Sequence, residues 1–129
     1  MTVMVRAGEA LPPLRIPITR TLIVSGALAS RDYQDVHHDA EAAREKGSPD
    51  IFMNILTTNG LVEKFVVDWA GPDTELKGIA IRLGAPAHPY DTLTFSGTVV
   101  SVEDGIATIA VVGRVSLGDH VTGTVQVAL

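Results

Sequence analysis

Residues 48–70, SPDIFMNILTTNGLVEKFVVDWA, carry the strongest helix pattern in the chain and decide its architecture. Ser48 is a favourable N-cap residue, and Pro49 suits the first helical position because its missing N–H would have no intrahelical acceptor there. Buried-face candidates then recur every three or four positions, namely Ile51, Ile55, Thr58, Val62, Phe65, Val66 and Trp69. We therefore predict a helix over 49–70, about 33 Å long, with one broad face buried.

The residues after this helix have the two-residue alternation of β-strands. In residues 92–99 the odd positions are apolar or glycine, and the even positions are threonine or serine. The alternation returns after Asp104-Gly105, a typical hairpin turn, and again after Gly118-Asp119. Residues 77–83 supply a fourth strand. An antiparallel sheet with one apolar face must pack on the long helix, which predicts an α+β fold. A hot-dog fold and a cystatin-like fold both fit this pattern.

The residues before the helix give weaker signals. The β-branched run Thr19–Val24 predicts a strand, and Ala40–Lys46 predicts a two-turn helix that ends at Gly47. Residues 1–18 contain three prolines, which lack amide donors, so we predict an extended N-terminal arm there. The arm is expected to precede a single domain over 19–129.

Composition excludes several classes of protein. The 129 residues suffice for one domain, and the net charge of −5 without a basic run argues against a nucleic-acid partner. The sequence has no apolar run of membrane-spanning length, and the start has no signal-peptide core, so we expect no membrane association and a cytoplasmic protein. With no cysteine, disulfides and thiolate catalysis are excluded.

Ionisable residues concentrate in residues 31–39, RDYQDVHHD. Asp32 and His37 are five positions apart, so only a turn between them would let both side chains reach one substrate. A carboxylate beside an imidazole is a plausible general acid–base pair near neutral pH. The same spacing also fits a solvated loop whose aspartates cap helices. The spacing alone favours the solvated loop.

The run Asp32–Asp39, DYQDVHHD, resembles the hydratase 2 motif of the MaoC-like enoyl-CoA hydratases, Asp-x-Asn-Pro-x-His-x-Asp. Gln34 stands where that family has Asn, and Asp35 stands where it has Pro. Residues 88–93, HPYDTL, are similar to the Pro-Gly-Asp-Thr-Leu that opens a long strand in the family. The segments GSPDIFMNIL, VVDWAGP and VVGRVSLGDHVTGTV further resemble the small MaoC-like subunits of steroid side-chain enoyl-CoA hydratases in bacterial cholesterol degradation.

This resemblance implies a hot-dog fold, in which an antiparallel sheet wraps a long central helix. It implies a hydro-lyase that adds water to the α,β double bond of a steroid side-chain enoyl-CoA, with Asp32 and His37 as the catalytic residues. Gln34, Met53 and Asn54 are the expected substrate-binding residues. Many family members have a glycine amide near the helix start that binds the thioester oxygen, and here the Met53 amide is expected to replace it.

The resemblance also implies the assembly. The expected partner is a second MaoC-like subunit that carries an OB-fold domain of the DUF35 type, in a heterotetramer, and otherwise a homodimer. No cofactor is expected beyond the coenzyme A of the substrate, and no metal, because the adjacent His37 and His38 point apart on any regular backbone. Two alternatives stay open: a homodimeric (R)-specific hydratase or dehydratase for fatty acyl thioesters, and a non-catalytic hot-dog partner subunit.

Overall fold

The computed structural model describes residues 4–129. It contains five strands, three α-helices and one 3₁₀ turn. In chain order these are β1 (Leu14–Pro17), α1 (Arg20–Ala29), the 3₁₀ turn (Asp35–His37), α2 (Ala40–Glu45), α3 (Ile55–Ala70), β2 (Glu75–Leu83), β3 (Thr92–Glu103), β4 (Ile106–Val115) and β5 (Gly118–Ala128). No helix in this part of the chain has both the length and the apolar character needed to cross a membrane.

The five strands form one antiparallel sheet in the order β1-β3-β4-β5-β2. The predicted meander of β3, β4 and β5 is confirmed, and Asp104-Gly105 makes its first turn. The predicted strand at 77–83 is also confirmed; as β2 it pairs with β5 and forms one edge of the sheet. Short β1 forms the other edge beside β3.

Helix α3 lies on the apolar face of the sheet, as its periodicity predicts, although Ile55, a predicted member of the buried face, is 50% exposed. Its buried side chains are Thr58, Val62, Phe65 and Val66. The Phe65 ring stacks on Phe95 of β3, with 5.5 Å between ring centroids. A side chain at Gly113 would come too close to the Phe95 ring, so glycine there leaves room for this pair. Each fully buried Val or Phe stabilises the fold by about 1.5–3 kcal/mol, and the helix–sheet contact therefore forms the core.

The predicted start of the long helix is wrong: α3 begins at Ile55 rather than Pro49 and has 16 residues, about 24 Å. Asp50 forms an ion pair with Arg20 at 2.6 Å. The Phe52 N–H donates to the Val36 carbonyl and the Met53 N–H to the Ala87 carbonyl, which keeps this segment out of the helix. The N-cap is Asn54, whose Oδ1 accepts the Thr57 N–H at 3.1 Å.

The predicted strand at Thr19–Val24 is also wrong, because these residues begin α1. The Thr19 hydroxyl accepts the Leu22 N–H at 3.0 Å and caps the helix. Ile23 and Ala27, four residues apart, are the buried residues of α1. Burial on one helix face thus overrides the local preference of β-branched residues for strands.

The N-terminal segment contributes to the sheet. Within the expected extended arm, Leu14–Pro17 pair with β3, and Ala10 forms an isolated bridge to Thr98. Proline is tolerated at such an edge because one side of the strand has no neighbour. The first three residues of the arm lie outside the described residues. The helix predicted at Ala40–Lys46 is confirmed as α2, and Gly47 follows it with a φ of 92°.

Candidate active site

Asp32 is positioned by the C-terminal end of α1. Arg31 adopts a left-handed φ of 57°, and its N–H donates to the Leu28 carbonyl. The Asp32 N–H donates to the Ala27 carbonyl at 2.9 Å. These two bonds are those of a Schellman motif, which satisfies helix carbonyls and turns the chain. The carboxylate that follows is therefore held by the end of a packed helix rather than by a free loop.

His37 reaches Asp32 because the 3₁₀ turn Asp35–His37 folds the chain back between them. His37 Nε2 lies 3.3 Å from Asp32 Oδ2. The turn that the spacing requires is therefore present. Asp39 caps α2, as the interpretation of a solvated, helix-capping loop expects, whereas His37 is buried instead of solvated. His37 is 6% exposed, which keeps the contact between carboxylate and imidazole largely out of bulk water.

The orientation of the His37 ring is set by a backbone carbonyl. Nδ1 lies 2.7 Å from the Phe52 oxygen. A carbonyl only accepts hydrogen bonds, so Nδ1 carries a hydrogen and Nε2 is the nitrogen that is available for proton exchange. The Phe52 ring contacts the imidazole edge at 5.0 Å between centroids, with an interplanar angle of 81°. Ring position and tautomer are thus both determined, as a general acid–base requires.

Asn54 contacts the same carboxylate from the start of α3. Its Nδ2 donates to Asp32 Oδ2 at 3.2 Å and to Ser30 Oγ at 2.9 Å. Its Oδ1 accepts from Thr57, from both the N–H and the hydroxyl. Sequence reasoning selects Asn54 but misses Ser30, which is 24 positions away, and Thr57, which lies inside the predicted helix without a motif to mark it.

Met53 and Gln34, the other predicted substrate-binding residues, border the same pocket. The expected role of the Met53 amide is not supported, since its N–H already donates to the Ala87 carbonyl at 3.0 Å. Within residues 4–129, the N–H groups of Asn54 and Ile55 have no such acceptor. The candidate donors at the helix start are therefore one and two residues later than predicted. Gln34 is exposed.

The pocket has a volume of about 320 Å³. It is lined by Asp32, Gln34, His37, Phe52, Met53, Asn54, Ile55, Leu83, Gly84, Ala85, Pro86 and His120. Acid–base groups, free amide donors and apolar side chains thus share one cavity, which is the composition expected of a small-molecule site.

His120 is a pocket residue that sequence reasoning treats only as a lone non-ligand. It is 2% exposed, its Nδ1 lies 2.7 Å from the Ala85 carbonyl oxygen, and its Nε2 lies 2.8 Å from Thr58 Oγ1. Burial lowers the pKa of His120, and the hydrogen bond to Ala85 only partly opposes this effect. A register shift between β4 and β5 makes both His120 and Val121 buried, so two-residue alternation could not have found it.

The other histidines lie apart from this chemistry. His38 is exposed, and His88 Nδ1 lies 3.0 Å from the Ile51 carbonyl oxygen. Within residues 4–129, no three histidine, aspartate or glutamate side chains converge as metal ligands.

Comparison with known proteins agrees with this geometry. The 3-oxo-4,17-pregnadiene-20-carboxyl-CoA hydratase beta subunit of Mycobacterium tuberculosis is 56% identical over 122 residues, which is 95% of each chain. A chain of the ChsH1–ChsH2 complex from the same organism superposes with a TM-score of 0.95 at 55% identity, over 98% of this chain and 99% of that one.

More distant structures establish the fold. The (R)-hydratase from A. caviae involved in PHA biosynthesis gives a TM-score of 0.89 at 19% identity, over 97% of both chains. The expected hot-dog fold is therefore confirmed, and the cystatin-like alternative is excluded. The sequence profile of the MaoC like domain matches residues 5–121. With its fold, its motif at Asp32–Asp39 and this match in agreement, the chain belongs to the MaoC-like domain family.

Proposed function

We propose that this chain is the hydratase subunit of an enzyme that adds water to the α,β double bond of a steroid side-chain enoyl-CoA. The observation that carries the proposal is the contact between Asp32 Oδ2 and His37 Nε2, with the opposite ring nitrogen held by the Phe52 carbonyl. The name of the 56%-identical relative, a pregnadiene carboxyl-CoA hydratase, supports the substrate class.

The geometry suits water addition. A water bound beside Asp32 and His37, in contact with both, would donate one hydrogen bond to each, which aims its oxygen at the β-carbon. As the oxygen bonds to that carbon, the pair accepts one of the water's two protons, and it then delivers a proton to the α-carbon. One O–H bond breaks, one C–O and one C–H bond form, and the pair returns to its starting protonation state.

Negative charge develops on the thioester oxygen when the enolate forms. The free N–H groups of Asn54 and Ile55 lie at the positive end of α3, where the helix dipole stabilises an anion. We assign the thioester oxygen to these donors instead of to Met53. The substrate would supply coenzyme A, and the proposed chemistry uses no other cofactor and no metal.

The pocket supports an assembly with a second subunit. Its volume of about 320 Å³ is near the lower limit for small-ligand sites, and a ring system joined to coenzyme A needs more room. Ile55 and Leu83 at its border are 50% and 37% exposed, which is unusual for large apolar residues beside a catalytic site. A MaoC-like partner with a DUF35-type OB-fold domain, in a heterotetramer, would cover them. We also propose a cytoplasmic location, which an acyl-CoA substrate would support.

The first alternative is a homodimeric (R)-specific hydratase or dehydratase for fatty acyl thioesters. A non-catalytic partner subunit fits less well, because it would have no need for the aligned Asp32 and His37.

The test follows loss of the conjugated enoyl-thioester absorbance with a steroid side-chain enoyl-CoA, for the chain alone and with a co-expressed MaoC-like partner. We expect turnover with the partner, and His37→Ala or Asp32→Asn should lower kcat by ~10²–10⁴. Turnover of short linear enoyl-CoA by the chain alone, with no turnover of the steroid thioester, would favour the homodimer. Near-normal rates in both variants would place the chemistry on the partner.

A further inference from the structure

We infer that Asn54 is a positioning residue for Asp32, and that Thr57 directs the Asn54 amide towards that carboxylate. The inference rests on the proposed hydratase function and deepens it. It also changes the role expected for the Asn54 side chain, which the family resemblance assigns to substrate binding.

The side-chain amide of Asn54 has no hydrogen-bonding capacity left for a substrate. A carboxamide has two donor hydrogens and two acceptor lone pairs. The hydrogens are used by Ser30 Oγ at 2.9 Å and Asp32 Oδ2 at 3.2 Å. The lone pairs of Oδ1 are used by the Thr57 N–H and the Thr57 hydroxyl. Because Asn54 is 2% exposed, a substrate atom could bind this amide only by displacing one of these partners.

Thr57 determines which way the amide faces. Its N–H is a donor only, so the atom that it meets must be the Asn54 oxygen, and the NH₂ group must then face Asp32. The reversed amide would place its oxygen against the carboxylate, with two acceptors in contact. Thr57 is itself held by α1, since a side chain at Gly26 would overlap its hydroxyl. The close packing of α1 on α3 therefore orients the amide.

The contact acts on the atom that the chemistry uses. Asp32 Oδ2 accepts from Asn54 and is also the oxygen nearest His37 Nε2. A hydrogen bond to a carboxylate restrains its rotation and so fixes the direction of the oxygen that faces His37. Loss of the amide donor should therefore reduce the rate of proton transfer more than the affinity for substrate.

The experiment compares kcat and KM in the active assembly for matched variants. Asn54→Asp retains an acceptor that caps α3 but has no amide donor, and it places a second carboxylate beside Asp32. Thr57→Val removes, at nearly constant volume, the hydroxyl that donates the second hydrogen bond to Asn54 Oδ1, so the amide is then held only by the Thr57 N–H. Thr57→Ser keeps this hydroxyl. Asn59→Asp makes the same Asn-to-Asp change on α3 at a residue outside the pocket lining.

We expect Asn54→Asp to lower kcat by about 10- to 100-fold with less than about threefold change in KM, and Thr57→Val to lower kcat by about 3- to 10-fold. Thr57→Ser should recover most of the loss, and Asn59→Asp should match wild type.

Two outcomes would overturn the inference alone. One is an active wild type with Asn54→Asp and Thr57→Val within about twofold of its kcat. The other is a raised KM at unchanged kcat in Asn54→Asp, which would mean that Asn54 binds substrate. A wild-type assembly with no hydratase activity on any enoyl-CoA would instead refute the proposed function.

Discussion

His37 and His120 line the same pocket, and the comparison of the two shows how a neighbour sets the role of a buried imidazole. Each directs Nδ1 at a backbone carbonyl 2.7 Å away, of Phe52 for His37 and of Ala85 for His120. Both rings are almost fully buried. The difference lies at Nε2, which faces the Asp32 carboxylate in one case and the Thr58 hydroxyl in the other. Burial alone therefore does not mark the catalytic histidine.

The surroundings of His120 point to a structural role. Its side chain joins three separate elements: β5, which contains it, α3 through Thr58, and the loop after β2 through Ala85. Backbone bonds at 2.8 Å from the Gly84 and Ala85 N–H groups to the carbonyls of residues 120 and 119 continue this junction. His120 holds the wall of the pocket, whereas His37 is placed to act on what enters it.

The largest expected effect is a difference in kcat between variants of His37 and variants of His120. His37→Gln removes the proton-exchanging nitrogen beside Asp32 and should lower kcat by ~10²–10⁴. His120→Gln keeps a polar side chain near Thr58, and we expect less than about a tenfold loss because no proton passes through that nitrogen. Steady-state kinetics of both variants in the same assembly measures the contrast. Equal losses would mean that His120 takes part in the chemistry.

A smaller expected effect is the loss of stability when His120 or its partner Thr58 is changed. His120→Ala leaves a cavity and two unpaired polar groups in the core, so the free energy of unfolding should fall by about 2–4 kcal/mol. Thr58→Val removes only the hydroxyl partner and should cost about 1 kcal/mol, whereas Thr58→Ser keeps it. Urea denaturation of the four proteins measures these differences. A Thr58→Val variant as stable as Thr58→Ser would show that the bond to His120 adds nothing.

The smallest expected effect is a pH dependence of stability. Burial lowers the pKa of His120 below its usual value of 6.5, so the unfolded chain binds a proton more readily than the folded chain does. The contribution of His120 to the free energy of unfolding is therefore complete above about pH 6.5. It is lost as the pH falls through the lower pKa that His120 has in the folded state.

His120→Gln should remove this part of the pH dependence. Because Asp32 and His37 are present in both proteins, the difference between wild type and variant isolates His120. Urea midpoints measured at about pH 7.5 and about pH 5.5 provide the comparison. If the urea midpoint falls equally between these two pH values in both proteins, the pH dependence does not come from His120.

The site could be predicted only as far as local patterns and the resemblance reach. Asp32 and His37 stand in a recognisable motif, and the structure brings them into contact. His120, Thr58, Ser30 and Thr57 stand in no such motif, because their contacts cross 24 or more positions or lie inside an already assigned helix. The sequence does not reveal that the Met53 N–H is occupied, because its acceptor, the Ala87 carbonyl, lies on a loop that is distant in sequence.

The same distinction holds for the fold. Alternation in β3 to β5 and the apolar face of α3 are local properties of the chain, and they predict the sheet and the helix that packs on it. The choice of a hot-dog fold over a cystatin-like fold came from the family resemblance. Two boundaries needed the tertiary structure: α1 forms where a strand was predicted, and α3 begins at Ile55. The physical reason is that both depend on partners distant in sequence, namely the core that buries Ile23 and the Arg20–Asp50 and Met53–Ala87 contacts. Periodicity indicates which face of a helix is buried, but only the folded chain determines which hydrogen bonds form at the ends of the helix.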